Sequence, residues 1–410
     1  MTDRPLPVSA PASPLPAPAS PRPATASPPP APASPRPATA RVGMVGAGQL
    51  ARMTHAAAID LGVDLHVLAV TPDEPAVLSG ALASYGAADD PVALAALAAE
   101  VDVLTLDHEL VDDHALAELA AAGHAVHPSA TALRFAKDKL YARTELAARG
   151  FPVPAFTAVE TAEDVAAFAE QHGWPVVCKA TRGGYDGRGV EVVGDVAAAG
   201  RALARGGAWL VEAHVDLAVE VAVVLARRPG GQHVTYPVVE TVQVDGQLAE
   251  LLQPARVAPE IAAAAVALAG EVAAAVEAVG IVAVELFVTR DGTLLVNELA
   301  LRPHNSGHAT IEGCTTSQFH NHLRAVLDWP LGDTALRAPV AALVNLLGPA
   351  GEDRIAERLP AALEVGEAAI HLYGKASRPG RKIGHVTVLG EDAEVALERA
   401  RQVARRLLGA

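Results

Sequence analysis

The stretch Val282-Ala283-Val284-Glu285-Leu286-Phe287-Val288-Thr289-Arg290-Asp291-Gly292-Thr293-Leu294-Leu295-Val296-Asn297-Glu298-Leu299 decides how the rest of the chain is read. Two apolar runs flank Asp291-Gly292, and Asp-Gly in that setting is a strong signal for a tight β-hairpin turn. A two-residue turn pairs Arg290 with Thr293, and counting outward sets Glu285 directly opposite Glu298. Directly opposed residues share a face of the sheet, with Cβ atoms roughly 4.5–5.5 Å apart. Two carboxylates that close repel unless a cation or a proton lies between them. Hard oxygen ligands beside a nucleotide suit Mg2+ bridging to phosphates. A shared proton, or a register shifted by one residue that splits the pair, are the alternatives.

Upstream lies Arg182-Gly183-Gly184-Tyr185-Asp186-Gly187-Arg188-Gly189, just after Cys178-Lys179 at the end of an apolar strand expected at 175–179. Four glycines within seven residues allow backbone amides to fold over a polyphosphate, and Lys179 can neutralise a phosphate as a point charge. A mobile surface hairpin is the plain alternative. Strands are expected near 209–212, 219–225, 235–239 and 243–249, then an Ala-rich helix at 259–279. Downstream of the hairpin, Arg302-Pro303-His304-Asn305-Ser306-Gly307-His308 offers polar groups that could converge on an anion, or a solvated loop. Lys375-Ala376-Ser377-Arg378-Pro379-Gly380-Arg381-Lys382 places four cations in eight residues, which suggests a phosphate site over a basic surface turn. Short strands after Pro330 and a last helix at 394–408 close the chain.

The folded sequence begins at Arg41. Strands at 42–45, 65–70, 101–106 and 125–127 alternate with helices at 50–61, 92–99 and 114–122, the pattern of a small parallel sheet. A further helix at 130–149 leads out of it. Gly46-Ala47-Gly48-Gln49-Leu50 sits where a strand meets a helix, the context of a phosphate- or dinucleotide-binding turn. The second strand lacks the acid that would bind a ribose, so a tight turn that helps to shape a ligand site is the better reading. Residues 1–40 are Pro, Ala and Ser with a repeated Ser-Pro-Arg-Pro-Ala-Thr-Ala unit, and are expected to be a disordered tail.

Composition agrees with an α/β enzyme: the 410 residues are 51% apolar but only 3% aromatic. No apolar run approaches the roughly 20 residues that span a bilayer, so no membrane is expected. A net charge of −15 argues against a nucleic-acid partner. Two cysteines cannot build a disulfide framework and point to a reducing, cytoplasmic setting.

The Gly-Gly-Tyr-Asp-Gly-Arg-Gly loop after a strand lysine, Asn297-Glu298-Leu299, Arg302-x-His304-Asn305-Ser306-Gly307-His308, Ser317-Gln318-Phe319 with His322-Leu323-Arg324-Ala325, and Arg378-Pro379-Gly380-Arg381-Lys382 with Gly384-His385 occur here in order. Together they resemble the 5-(carboxyamino)imidazole ribonucleotide synthases of bacterial purine biosynthesis, which are ATP-grasp enzymes. The resemblance runs from about Arg41 to the C-terminus. It implies an α/β (α+β) fold: a Rossmann-like domain at 41–135, an ATP-grasp domain with a Gly-rich loop subdomain at 136–330, and a small C-terminal domain at 331–410. The implied reaction joins ATP, bicarbonate and aminoimidazole ribonucleotide, with Mg2+, or Mn2+ in its place. A cytoplasmic homodimer is the implied assembly.

By the same resemblance, Lys139, Lys179 and the segment Gly184, Tyr185, Asp186, Gly187, Arg188, Gly189 and Val190 would hold the ATP phosphates. Glu212, Ala213, His214 and Val215 would line the adenine, with Glu220 on the ribose and Gln243 close to the nucleotide. Glu285 and Glu298 would carry the metal, with Asn297 beside them. Tyr185, Asp186, Arg302, His304, Asn305 and Ser306 would face bicarbonate and the imidazole. Lys375, Arg378, Arg381 and Lys382 would take the ribonucleotide phosphate, joined by Gln49 and Leu50. Some positions depart from the family pattern: Gln243 for a His, Lys139 for an Arg, Leu301 for a Pro, His320 for a Glu, and Asp107-His108-Glu109 for Glu-x-Glu. The rivals are a formate-dependent ATP-grasp ligase on another phosphoribosyl amine and a nucleotide-binding regulator without turnover. The Asn305-Ser306 pair argues against the first.

Overall fold

The computed structural model describes residues 39–184, 187–350 and 353–409. The chain first forms a parallel sheet from β1 (Arg41–Val45), β2 (Asp64–Ala69), β3 (Leu82–Tyr85) and β4 (Val103–Leu106), in the order β3-β2-β1-β4. Helices Gln49–Leu61, Pro75–Leu78 and Pro91–Glu100 connect these strands. The expected alternation is present, with two differences. β3 is an additional edge strand, short and partly exposed, so its sequence carries little apolar pattern. The strand expected at 125–127 is reduced to a bridge between Leu104 and Val126.

The single helix expected over 130–149 is two, Ala130–Lys137 and Lys139–Ala148. Asp138 breaks it by adopting φ −127° and ψ 103° and capping the second helix through Tyr141 N–H at 3.0 Å. The same carboxylate accepts from Arg182 Nε at 2.9 Å, and the Lys139 amide donates to the Thr181 carbonyl at 2.8 Å. The break thereby anchors the second helix to the start of the Gly-rich loop.

A small antiparallel sheet holds β5 (Phe156–Val159), β6 (Val176–Ala180), β7 (Val190–Val193) and β8 (Trp209–Ala213), in the order β5-β8-β6-β7. Helices Ala162–His172 and Val196–Leu203 bury Val165, Phe168 and Ala199 against Val176, Cys178 and Val211. The Gly-rich segment is the β6–β7 connection. The chain leaves β8 through residues 214–216 and enters the large sheet.

That sheet contains β9 (Leu217–Arg227), β10 (His233–Thr235), β11 (Val239–Val244), β12 (Gln247–Gln253), β13 (Gly280–Thr289), β14 (Leu294–Ala300), β15 (Val340–Leu347), β16 (Ala368–Leu372) and β17 (Lys382–Gly390). Its order is β14-β13-β9-β11-β12-β15-β17-β16, with β10 beside β9, so the C-terminal strands continue the sheet that carries the glutamate hairpin. The strands expected at 235–239 and 243–249 are displaced. Pro237 lacks an N–H and separates β10 from β11, while Asp245 (φ 51°) and Gly246 (φ 73°) make the two-residue turn into β12. Helix Pro259–Ala275 stops short of the expected 279 and buries Ala265, Ala269 and Val272 on β9 and β13.

Candidate active site

The hairpin of β13 and β14 brings Glu285 and Glu298 directly opposite one another. The route differs from the one expected. Thr289 N–H donates to the Thr293 carbonyl at 3.0 Å, so Arg290, Asp291 and Gly292 form a three-residue loop and Arg290 does not pair with Thr293. Val288, Phe287 and Leu286 then face Leu294, Leu295 and Val296, one residue out of the simple count. An irregularity between Glu285 and Leu286 leaves Asn297 unopposed and restores the glutamate pair. A bulge of this kind re-aims side chains. Here Asn297 Oδ1 accepts from Lys179 Nζ at 3.1 Å, while its neighbour Glu298 accepts from Lys139 Nζ at 2.5 Å.

These lysines belong to a buried network. Glu212 lies between Lys179 Nζ (2.8 Å) and Arg143 Nε (2.7 Å), and Arg143 also donates to the Asn297 carbonyl at 2.6 Å. The side chains of Arg143 and Glu212 are each 3% exposed, and that of Lys179 is 6%. Burial works to raise the Glu212 carboxyl, but Lys179 and Arg143 outweigh it and hold it below the usual range. The Glu212 carboxylate is therefore committed to these cations, which leaves any adenine contact to the backbone here and to Ala213, exposed His214 and Val215. No sequence expectation covers Arg143. Its signal is its spacing of four from Lys139, which puts both on one helix face.

Burial, together with the charges of Glu298 and Glu220, pushes Glu285 up to about 7. Glu298 is held at about 2, because Lys139, Lys179 and Arg143 overcome the burial that would raise it. Glu220, on β9, is raised by burial and by Glu298, against a hydrogen bond from Gln243. A set of carboxylates that resist sharing one region fits a cation. Among the described residues no three His, Cys, Asp or Glu side chains could hold one metal together. Two carboxylates completed by phosphate oxygens is how proteins commonly bind Mg2+.

Across the cleft, His304 accepts from the Ser306 N–H at Nδ1 (3.3 Å), with Ser306 Oγ 2.9 Å from the same nitrogen. That arrangement puts the ring proton on Nε2, which lies 3.7 Å from Glu285. Asn305 is buried, yet neither atom of its side-chain amide has a hydrogen-bond partner among the described residues. Such an orphaned donor and acceptor fit a ligand that presents both. Arg302 Nε meets Glu109, from the loop after β4, at 2.8 Å.

From the parallel sheet, Gln49 Oε1 accepts from Lys375 Nζ at 2.5 Å, which joins two parts of the expected ribonucleotide site. Leu50 is buried in the sheet's core, so only its backbone can meet a ligand. Lys382 lies close enough to Glu285 to lower its proton affinity. Arg381 donates to the Ala376 carbonyl at 3.1 Å, and Arg378 is exposed. Gly187 (φ 76°) rests against the Gly246 backbone, where a Cβ would come within 2.9 Å, so the Gly-rich loop touches the β11–β12 turn. Gly184, Arg188, Gly189 and Val190 border this loop, and Tyr185 and Asp186 lie outside the described residues.

At Gly46–Gly48 the dinucleotide alternative is set aside in favour of the tight turn that the sequence already preferred. Asp107, at the end of β4, accepts from the Gly48 and Ala51 amides at 2.8 Å each. The helix N-terminus already holds the chain's own carboxylate, so no dinucleotide phosphate can take those donors.

Opposed carboxylates on a large antiparallel sheet, faced by a second sheet with a strand lysine and a Gly-rich hairpin, define an ATP-grasp ligase. The ATP-grasp domain profile matches residues 144–319, the ribonucleotide synthetase preATP-grasp domain residues 39–137, and the phosphoribosylaminoimidazole carboxylase C-terminal domain residues 341–399. N5-carboxyaminoimidazole ribonucleotide synthase of Mycobacterium bovis is 49% identical over 374 residues, 89% of this chain and 87% of its own. That of Corynebacterium ammoniagenes is 41% identical and covers 90% and 92% respectively. Among solved structures, carboxyaminoimidazole ribonucleotide synthase of Aspergillus clavatus complexed with ATP matches with a TM-score of 0.84 at 33% identity, over 90% of this chain and 98% of that one. The same organism's N5-carboxyaminoimidazole synthase with ADP and 5-aminoimidazole ribonucleotide matches with a TM-score of 0.84 at 32% identity, over 91% and 99%. The chain belongs to the N5-carboxyaminoimidazole ribonucleotide synthase family.

Proposed function

We propose that this ligase carboxylates 5-aminoimidazole ribonucleotide with ATP and bicarbonate in purine biosynthesis, releasing ADP and phosphate. The observation that carries the reading is the Glu285–Glu298 pair flanked by Lys139 and Lys179. Those cations and the Gly184–Val190 loop would hold the ATP phosphates, with Glu220 and Gln243 towards the ribose. Glu285 and Glu298 would hold Mg2+, which when bound neutralises phosphate charge and orients the transferring group.

Bicarbonate is a poor electrophile, and phosphorylation of one of its oxygens gives carboxyphosphate with a phosphate leaving group. This transfer requires alignment and charge neutralisation more than covalent help from the protein. His304, with its proton on Nε2, serves as a donor to a bicarbonate oxygen, beside Arg302 and the Asn305 amide, which has no partner among the described residues. The substrate amine then bonds to the carboxyl carbon, phosphate departs, and the amine proton falls to either Asp186 or His304. Lys375, Arg378, Arg381 and Lys382, with Gln49, Leu50 and Ser306, would grip the ribonucleotide. The domains at 41–135, 136–330 and 331–410 would then supply substrate contacts, ATP chemistry and the phosphate grip in turn. No helix among the described residues is long and apolar enough to cross a membrane, and a cytoplasmic homodimer is the assembly proposed.

The test is ADP release from Mg2+-ATP and bicarbonate with and without 5-aminoimidazole ribonucleotide, in the wild type and in Glu298→Ala. Release should need the ribonucleotide and drop at least about a hundredfold in the variant. Release that ignores the ribonucleotide would overturn the substrate assignment.

A further inference from the structure

Gln318 opens the helix Gln318–Val326 and has no solvent exposure. Its side chain belongs to none of the ligand sets above, yet two of its hydrogen bonds are directed at His304, which does. Its Oε1 accepts from the His304 backbone N–H at 2.9 Å, and its Nε2 donates to the His304 carbonyl at 2.8 Å. The primary amide thus pairs with both sides of one residue's backbone, as a strand neighbour would. The second Nε2 proton is directed at His308 Nδ1, with the two nitrogens 3.0 Å apart. Nε2 of an amide can only donate, so His308 Nδ1 must be the acceptor.

The surroundings are built around this amide. A Cβ on Gly307 would come within 2.3 Å of Gln318 Oε1, so only glycine lets the loop close over it. The Gln318 backbone N–H donates to Thr310 Oγ1 at 2.9 Å, and that hydroxyl donates to the Gly307 carbonyl at 2.6 Å. The 304–310 loop is therefore tied at several points to one residue of the next helix. His304 is the member of that loop whose Nε2 faces Glu285.

We propose that Gln318 is a positioning residue for the carboxylation: by clamping the His304 backbone it aims the His304 ring at the carboxylate pair and the bicarbonate site. The inference rests on the carboxylation reading above, in which His304 donates to bicarbonate. Losing the clamp leaves the nucleotide contacts of Lys139, Lys179 and Glu298 in place and loosens only the acceptor side. A misplacement of about 1 Å in such a group can cost on the order of a hundredfold in rate.

The experiment compares wild type, Gln318→Met, His304→Ala and the double variant, for affinity to Mg2+-ADP and for ribonucleotide-dependent ADP release. Gln318→Met should bind Mg2+-ADP within about twofold of wild type while kcat falls on the order of ten- to a hundredfold. In the double variant the rate should match that of His304→Ala alone, because a residue that acts through His304 has nothing left to position. Multiplying effects would mark a general packing role and overturn the proposal, as would a Gln318→Met rate equal to wild type. If Gln318→Met loses nucleotide binding, Gln318→Glu replaces it. That isosteric variant keeps the acceptor but cannot make both donations, and the same comparison with His304→Ala decides. Absence of ribonucleotide-dependent release in the wild type would instead sink the carboxylation reading itself.

Discussion

The charge network under the proposed nucleotide site depends on single residues to a degree that their exposure makes quantifiable. Arg143 and Glu212 are nearly solvent-free, and Arg143 joins Glu212 to the Asn297 carbonyl. Replacing a buried pair by apolar groups can be neutral, but removing one partner strands a charge, at a cost of about 3–5 kcal/mol. Arg143→Met should therefore lower the urea-unfolding free energy by that amount, and it should also weaken Mg2+-ATP binding, because Lys179 and Asn297 lose their support. A loss below about 1 kcal/mol would show that Lys179 alone satisfies Glu212. At this scale the sequence is informative about charge and much less about commitment. Lys179 and Glu298 stand out in their motifs. That Glu212 is occupied by cations, and that Arg143 completes them, follows only from which helix lies over which strand.

Elements show why a correct pairing can be read by an incorrect route. Asp291-Gly292 and Asp245-Gly246 carry the same dipeptide signal, but the second makes the two-residue turn and the first belongs to a three-residue loop. The loop shifts the hairpin by one residue and the irregularity at Asn297 shifts it back, so Glu285 and Glu298 meet regardless. Alternation of apolar residues does not reveal a bulge, because one extra residue disturbs the pattern for a single step. The break at Asp138 escapes a periodicity reading for a similar reason: Asp138 acts at once as an end and a cap. By contrast, strands buried on both faces, such as β1 and β9, are legible as continuous apolar runs. The Gly46–Gly48 turn is legible as a tight turn, whereas its occupant comes from a strand about sixty residues away. Asp107→Ala should cost about 1–2 kcal/mol through loss of the two amide bonds at the helix start. It should also raise KM for the ribonucleotide more than for ATP, because Gln49 begins that helix and holds Lys375. Equal changes in both KM values would detach the cap from the substrate site.

At the scale of the whole molecule, the parallel sheet must stay registered on the large sheet, because Glu109 and Gln49 reach across to Arg302 and Lys375. Buried His322 is one of the links that hold it there. Its Nδ1 accepts from the Ile281 N–H at 3.1 Å on β13, and its Nε2 lies 2.8 Å from Thr105 Oγ1 on β4. Burial, with a contribution from His127, lowers its pKa from the model-compound value of 6.5 to about 3. Protonation would put a hydrogen on Nδ1, where the Ile281 N–H already points, and a charge where no solvent reaches. Between about pH 6.5 and pH 3 the unfolded chain holds a proton at this histidine that the folded chain does not. Stability from His322 is therefore complete above about pH 6.5 and is lost as pH falls through that window, by a total of about 3–5 kcal/mol. Burial also holds His308 and His385 well below 6.5, so they add slope of the same sign. The urea-unfolding free energy of the wild type should fall steadily from pH 7 to pH 4. In His322→Gln it should begin lower at pH 8, fall less steeply, and approach the wild type near pH 4. Since carboxylates contribute equally to both proteins, the difference between the two curves isolates the histidine. A difference constant from pH 8 to pH 4 would mean that His322 is bound by packing alone, and that its hydrogen bonds do not set the registration of the two sheets.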